Sequence, residues 1–516
     1  MQGKTSGILI ALIAVTVTAT AGGSATVERF YSEALGGYRS MVVYLPERYN
    51  TSGLDYPVIY LLPGGEGGVG SWYLTGFAPV LDDMIADGLI DPMIVVEPDS
   101  NRTSPPQEWI QQGFNGQIFH YHANSELLGN HEDYLVDDLV DWVDWNYRTS
   151  ADREHRLLIG RSIGGHGAIR LALRHPEVFG GASIDAGFMA VLEGYLPSQI
   201  IYVLALTPGP PYIYNPSNDG LSARFFAFCA AFAANMSNPP WYVDFLLDEY
   251  GEIDESVRRQ MLAQSPPALV EGYAGSEYPL DLFFRVGDRD SMSNTFWPVV
   301  DALEAQDVPH LVRVFEGTHD TPSRLNKLVV HLTYFMPIKA SAEISPRVAD
   351  PRIHPQRLRV AVELPSDLEV EDIDCSTLAL IDIDGNRLAR PIGCAAVCEI
   401  SDINGNGRDD LSMWLPCNTM VRAAMAGGAE LGDQIELTIR GELEDGRFFN
   451  ASGTPLGAQF AMAEPVGGVT PTDPEISLGD RRTIYLAYGG MGCGVTGQGL
   501  LGPGEVGGLG SRGGGA

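Results

Sequence analysis

Lysine is almost missing from this 516-residue chain: only Lys4, Lys327 and Lys339 occur, so arginine supplies nearly all of the 33 basic residues. They face 66 aspartates and glutamates, a formal charge of -33. A surface of that sign repels phosphate backbones, and no local basic stripe offsets it. This argues against nucleic acid, and against an anionic membrane surface, as partners. Long hydrophobic runs are also lacking. Beyond the first two dozen residues none reaches the ~20 apolar residues of a membrane span without Pro, Asp or Arg, so the body is expected to be soluble, with no membrane span once a leader is removed. Apolar content is ordinary at 45%, which excludes wholesale disorder and leaves room for two to four domains.

The two ends differ from the body. Residues 1–21 read as a signal peptide: Lys4, an apolar run from Ile8 to Ala21, and Ala19-Thr20-Ala21 as the cleavage site, with no basic stop-transfer cluster after it. The expected destination is secreted or extracytoplasmic, with an uncleaved anchor as the alternative. Residues 464–516 are Gly-rich and expected to form a flexible tail with one apolar patch near Ile484 to Tyr488. Four of the six cysteines, Cys375, Cys394, Cys398 and Cys417, cluster in the C-terminal half. Oxidising conditions would pair them into two disulfides, with three connectivities open; a zinc site is the rival, but paired C-x2-C knuckles are missing. Cys229 reads as a small buried hydrophobe, and Cys493 has no reading.

From residue 22 to 340, short apolar runs alternate with helical patterns, the signature of a mostly parallel sheet with helices on both faces. Strands are expected at Met41–Leu45, Val58–Leu62, Met93–Val96, Leu157–Ile159, Leu282–Val286 and Leu311–Phe315, and a helix over Tyr134–Trp145. Parallel strands gather their carboxyl ends on one rim, where chemistry is to be sought.

After the fourth of these strands comes Gly160-Arg161-Ser162-Ile163-Gly164-Gly165, a G-x-S-x-G sequence running into a helical stretch. The glycines permit a turn so tight that the serine is forced into the open. A serine attacks well only when a base takes its proton, and two later strand ends supply partners. Gly287-Asp288-Arg289-Asp290 offers an acid, Asp290 in preference to Asp288, and Gly317-Thr318-His319 offers the base. Ser162, Asp290, His319 is the chain order of an α/β-hydrolase triad. His166 is expected to pack away from the serine and His310 to be solvated. Pro63-Gly64-Gly65, following Val58–Leu62, offers the backbone N–H of Gly65 to an oxyanion, with Ile163 N–H as the second donor. No Gly-Lys-Ser/Thr follows that loop, which excludes a phosphate cradle of that kind.

These stretches carry a resemblance. Arg39–Tyr49, Tyr56–Gly68, Pro92–Asp99, Ile159–Phe179 and Phe315–Asp320 are similar to the putative-esterase or esterase D family of α/β-hydrolases, which includes S-formylglutathione hydrolases, feruloyl esterases and mycobacterial mycolyltransferases. The resemblance covers residues from about 26 to 336. It implies a serine esterase with Ser162 as nucleophile, Asp290 and His319 completing the triad, Gly65 and Ile163 as the oxyanion hole, and no cofactor for catalysis. Pro63 and Thr321 depart from the family pattern. The expected substrate is a small-molecule or carbohydrate-linked ester; an acyltransferase and a non-catalytic binding protein are the alternatives. Residues 187–278 form a largely apolar insertion, expected to be a cap with its own core, a lid over Ser162, or both.

Residues 341–463 change to short alternating strands with no persistent 3.6-residue period, as in a small β-sandwich. Strands are expected at Leu358–Val362, Leu378–Ile383, Leu411–Trp414 and Ile435–Ile439. The stretch from Val370 to Phe460 resembles extracellular bacterial modules with a D-x-N-G-D-G-x-x-D loop, which implies structural calcium. Asp402, Asn404 and Asn406 supply side-chain oxygens, Arg408 its carbonyl, and Asp410 closes the loop; Met413 at position 12 excludes an EF-hand. An Asn/Gly hairpin is the alternative.

Overall fold

The computed structural model describes residues 23–65, 70, 76–99, 102–114, 118–195, 219–248, 250, 252–320, 324–345, 357–393, 398–429, 434–453, 456–457 and 485–487. The expected signal peptide, residues 1–21, Cys394, Cys493, Thr321 and most of the Gly-rich stretch lie outside them.

The first sheet contains β1 (Ser24–Ser32), β2 (Gly37–Leu45), β3 (Val58–Leu62), β4 (Ile94–Pro98), β5 (Arg156–Arg161), β6 (Gly181–Asp185), β7 (Asp281–Gly287) and β8 (Leu311–Phe315). Its order is β1-β2-β4-β3-β5-β6-β7-β8, and Tyr485–Ala487 adds parallel to β8 at the far edge. β1, β2 and β4 pair antiparallel, and every pairing from β4 through β3 to β8 is parallel. Every residue of β3, β4 and β6 is buried, because helices cover both faces. The crossover of β3 and β4, followed by uninterrupted parallel pairing, is the α/β-hydrolase arrangement expected.

Five helices matter here: α1 (Phe77–Ala86), α2 (Ile163–Arg174), α3 (Asp219–Phe232), α4 (Arg324–Phe335) and α5 (Cys417–Ala426). α2 lies on the sheet with Ala168, Ile169, Leu171 and Ala172 almost wholly inaccessible. The helix expected over Tyr134–Trp145 is present, but it is π-wound across Tyr134–Leu139 before continuing as Val140–Asn146.

The C-terminal sheet comprises β9 (Ile338–Ser345), β10 (Arg357–Glu363), β11 (Ile373–Ile383), β12 (Asn386–Gly393), β13 (Glu399–Ser401), β14 (Asp410–Pro416), β15 (Leu437–Leu443) and β16 (Phe448–Gly453). They bond in the order β12-β11-β15-β16-β9-β10-β14-β13. One apolar core runs from Ile59, Leu61 and Phe77, through Leu328 and Leu332 of α4, to Leu358, Leu380, Met413 and Ile439 of this second sheet. α5 corrects the expectation that no helical period persists here. Cys417, Met420, Val421 and Ala424 recur at helical spacing and are buried. Cys375 is bonded to Cys398, one of the pairings anticipated, and Cys417 is buried.

Among the described residues no helix is long and apolar enough to cross a membrane.

Candidate active site

β5 hands the chain to α2 through Ser162, whose backbone sits at φ 54°, ψ -120°. Such a conformation costs on the order of 1–3 kcal/mol for a residue with a Cβ, so the surroundings must enforce it. They do so by close approach. A Cβ on Gly160 would collide with the Gly164 carbonyl, and one on Gly164 with the Leu62 carbonyl, so only glycine lets strand and helix meet there. Hydrogen bonds then fix the serine: its N–H donates to Asp185 O at 3.0 Å, and its carbonyl accepts from His166 N at 3.1 Å and Phe188 N at 3.0 Å.

The parallel register brings the partners to the same rim: Leu62 lies beside Gly160, Arg161 beside Asp185, and Gly287 beside Phe315. His319 Nε2 lies 3.1 Å from Ser162 Oγ. On the other side of the ring, Nδ1 lies 3.0 and 3.1 Å from the two oxygens of Asp290. The carboxylate fixes the tautomer, since Nδ1–H donates to it and Nε2 is left to accept from the serine hydroxyl. The Asp290 side chain is 1% exposed and that of His319 13%, so water is nearly excluded from their bond. Asp290 also accepts from Met292 N at 2.8 Å. Asp288, the alternative acid, faces elsewhere: it accepts from Gly317 N at 2.8 Å and braces the turn ahead of His319.

Gly64 and Gly65 border the serine. A Cβ on Gly64 would lie 3.5 Å from Ser162 Cβ, and one on Gly65 3.2 Å from Ile163 Cδ1 and from the Phe119 ring. Gly64 thus lies against Ser162, and Gly65 lies against Ile163, the residue after the serine. Ile163 opens α2, where backbone N–H groups have no intrahelical acceptor and are available to an anion.

Several charged groups around this site carried no sequence signal beyond their type. Arg102 Nε donates to Gly65 O at 2.7 Å and so orients that glycine. Glu132, 2% exposed, is bonded to Arg170 (2.6 Å), Arg174 (2.6 Å) and His175 (2.7 Å), clamping α2 to the 131–146 helical stretch. Burial works against the Glu132 charge, but the His175 and arginine bonds outweigh it and hold its carboxyl well below the usual range. Arg161, a variable position of the G-x-S-x-G motif, is 4% exposed and bonded into the His319 loop.

His166 is buried as expected, with its ring against Tyr121 and Phe232. His310 is half-buried rather than fully solvated: its Nδ1 sits 2.8 Å from Val308 O and its ring meets Phe284 edge-on, and burial lowers its pKa.

Part of the 187–278 insertion shares a core with the 109–128 stretch and with Ile163. Phe225, Phe226, Phe228 and Phe232 of α3 are buried with Trp109, Phe114 and Leu246, and Ile163 joins them. Trp109 Nε1 donates to Trp241 O at 2.6 Å, which satisfies the indole inside the cluster. Cys229 is fully buried there and its thiol is pushed up to about 12, an inert hydrophobe as expected. Residues 196–218 lie outside the described residues.

In the C-terminal sheet the 402–410 loop is ordered by its own side chains. Asp402 accepts from the backbone N–H groups of Gly405, Asn406 and Gly407, and Asp410 accepts from Ile403 and Asn404. Arg408 donates to Glu363 of β10 at 3.0 Å, and the Asn404 and Asn406 amides reach the same carboxylate. Among the described residues no three His, Cys, Asp or Glu side chains are grouped to hold a metal ion, so a cation here would rest on two carboxylates, two amide oxygens and a carbonyl.

Residues 32–321 match the family described as putative esterase. The chain is 32% identical over 178 residues to an endo-1,4-beta-xylanase/feruloyl esterase of Xylanibacter ruminicola, covering 33% of this chain and 22% of that protein. It is 31% identical over 161 residues to an esterase of Mycobacterium tuberculosis, 31% of each chain. The chain thus spans less than a third of the length of these relatives. Among solved structures, a ferulic acid esterase aligns at 21% identity and TM-score 0.37, over 58% of this chain and 92% of that one. An S-formylglutathione hydrolase from Agrobacterium tumefaciens aligns at 19% identity and TM-score 0.39, over 60% and 92%. With more than half of its length matched, and with the strand-elbow-helix geometry above lying inside the matched residues, the chain belongs to the putative esterase family.

Proposed function

We propose that this protein is a secreted serine carboxylesterase. The observation that carries the reading is the hydrogen-bonded line from Ser162 Oγ through His319 to Asp290, with the serine held on a glycine-lined elbow. Ser162 Oγ attacks the ester carbonyl carbon as His319 Nε2 takes its proton, and the negative oxygen that develops is held by the N–H groups of Gly65 and Ile163. Collapse of the tetrahedral species expels the alcohol, which receives the proton from His319. Water, deprotonated by the same nitrogen, then attacks the acyl-serine, and the acid leaves as Ser162 regains its proton. Asp290 keeps the ring oriented and stabilises the imidazolium formed at each step.

The expected leader at residues 1–21 and the Cys375–Cys398 bond both support export. An acylated or feruloylated carbohydrate is the substrate class we favour, since a relative is named a xylanase/feruloyl esterase. With the chain at -33, neutral esters should approach faster than anionic polymers. Calcium at the 402–410 loop would be held by Asp402, Asn404, Asn406, the Arg408 carbonyl and Asp410, adding charge balance to the loop and leaving the ester chemistry to the triad.

Ser162→Ala in the mature protein is expected to lower turnover of p-nitrophenyl acetate by at least ~10³-fold with an unchanged melting temperature. Activity retained in that variant overturns the assignment.

A further inference from the structure

We propose that Arg161, the residue before the nucleophile, is a positioning residue that holds His319 in register with Ser162. The proposal rests on the esterase reading above. Arg161 ends β5, and its side chain is only 5% exposed. Burying a guanidinium costs several kcal/mol unless its donors are matched, so its neighbours decide where it lies. Those neighbours lie at two other strand ends. Nη2 donates to the backbone carbonyl of His319 at 3.0 Å and to Asp320 Oδ1 at 2.5 Å. Nε lies 3.7 Å from Asp185 Oδ2, at the end of β6. Asp185 is itself fully buried, 3.4 Å from His331 Nε2 of α4.

The consequence is geometric. Asp288 to Gly317 N and Arg289 N to Gly317 O brace the His319 loop at the turn two residues earlier. The bond to the His319 carbonyl acts on the base's own peptide, and it comes from the residue covalently joined to the nucleophile. Any shift of the elbow carries the base with it. Displacement of a reacting group by about 1 Å costs on the order of 100-fold in rate, so this tether should appear in kcat rather than in substrate affinity. Arginine suits the task because its rigid planar fork fixes the directions of its donors toward the His319 loop and Asp185, whereas the ammonium of lysine sits on a flexible stem.

The test begins with wild type, which must hydrolyse p-nitrophenyl acetate and label with a fluorophosphonate; failure there overturns the esterase reading, not the tether. Arg161→Lys keeps the buried charge opposite Asp185 and is expected to fold, with kcat down about five- to tenfold. Arg161→Met combined with Asp185→Asn removes the whole pair and is expected to lose roughly 30- to 100-fold in kcat with KM within about threefold. Partial recovery by lysine relative to the double variant marks a positioning role. The proposal is overturned if either folded variant keeps wild-type kcat within about twofold, or if the loss falls on KM alone.

Discussion

His122, His131 and His166 are buried around α2, each held neutral by its surroundings. Burial, His131 and Arg170 push His122 down to about 3; burial and Arg39 push His131 down to about 3; burial, Arg170 and His122 hold His166 well below its ordinary value. His122 packs so tightly on α2 that a Cβ at Gly167 would strike its ring. Protonating any of them in place puts a charge against Arg170 or Arg39. The sign of the linkage follows. The unfolded chain binds these protons near pH 6.5, whereas the folded chain takes up those of His122 and His131 only near pH 3 and that of His166 well below its ordinary value, so stability is complete above about 6.5 and falls as pH drops below it. Each histidine contributes at most about 1.4 kcal/mol per pH unit in that window. Melting temperature is therefore expected to fall steeply from pH 7 to pH 5, and His122→Gln to flatten the slope relative to wild type; equal slopes would remove His122 from the cause.

At the scale of elements, the 402–410 loop joins β13 to β14 and is tied to β10 through Glu363. Its internal bonds already set its shape, so calcium would add affinity for the folded form rather than create the fold. Binding to the native state alone stabilises by about 2.7 kcal/mol at a hundredfold excess over Kd. Calcium added to chelator-treated protein is expected to raise the melting temperature by about 3 °C or more, and Asp402→Ala to abolish that rise. An unchanged melting curve in wild type returns the loop to a plain hairpin. Element by element, legibility followed the strength of the local signal. β3 and β8 lie where their apolar runs predict, because buried parallel strands are continuous in Val, Ile and Leu. β6, Gly181-Ala182-Ser183-Ile184-Asp185, is not among the expected strands: its small and polar residues make no apolar run, and its place between β5 and β7 makes it a strand. α5 was hidden because Cys and Ala are weak apolar markers. The triad was readable since each member follows its own strand, whereas Arg161, Arg102 and Glu132 act through partners 24 to 159 positions away.

For the whole molecule, the second sheet is not an appendage on a linker. β9 follows α4 after two residues, and the core is continuous across them. At the seam Phe283 of β7, Tyr334 of α4 and Phe448 of β16 form an aromatic cluster with centroids 4.6 to 5.3 Å apart, and Phe448 N donates to Thr333 Oγ1 at 3.1 Å. Arg313 of β8 and Glu442 of β15 are bonded across the same seam, both nearly inaccessible. Arg387 of β12 reaches Asp281, at the start of β7, at 2.7 Å. Because these contacts grip the strands whose far ends carry Asp290 and His319, loss of the second sheet should destabilise the esterase domain rather than merely shorten the chain. Calorimetry is expected to show one unfolding transition for both sheets. Glu442→Ala, which leaves Arg313 buried and unpaired, should shift that whole transition downward at a cost of about 3–5 kcal/mol. Two separate transitions, with Glu442→Ala moving only the one that belongs to the second sheet, would show instead that the two sheets fold independently.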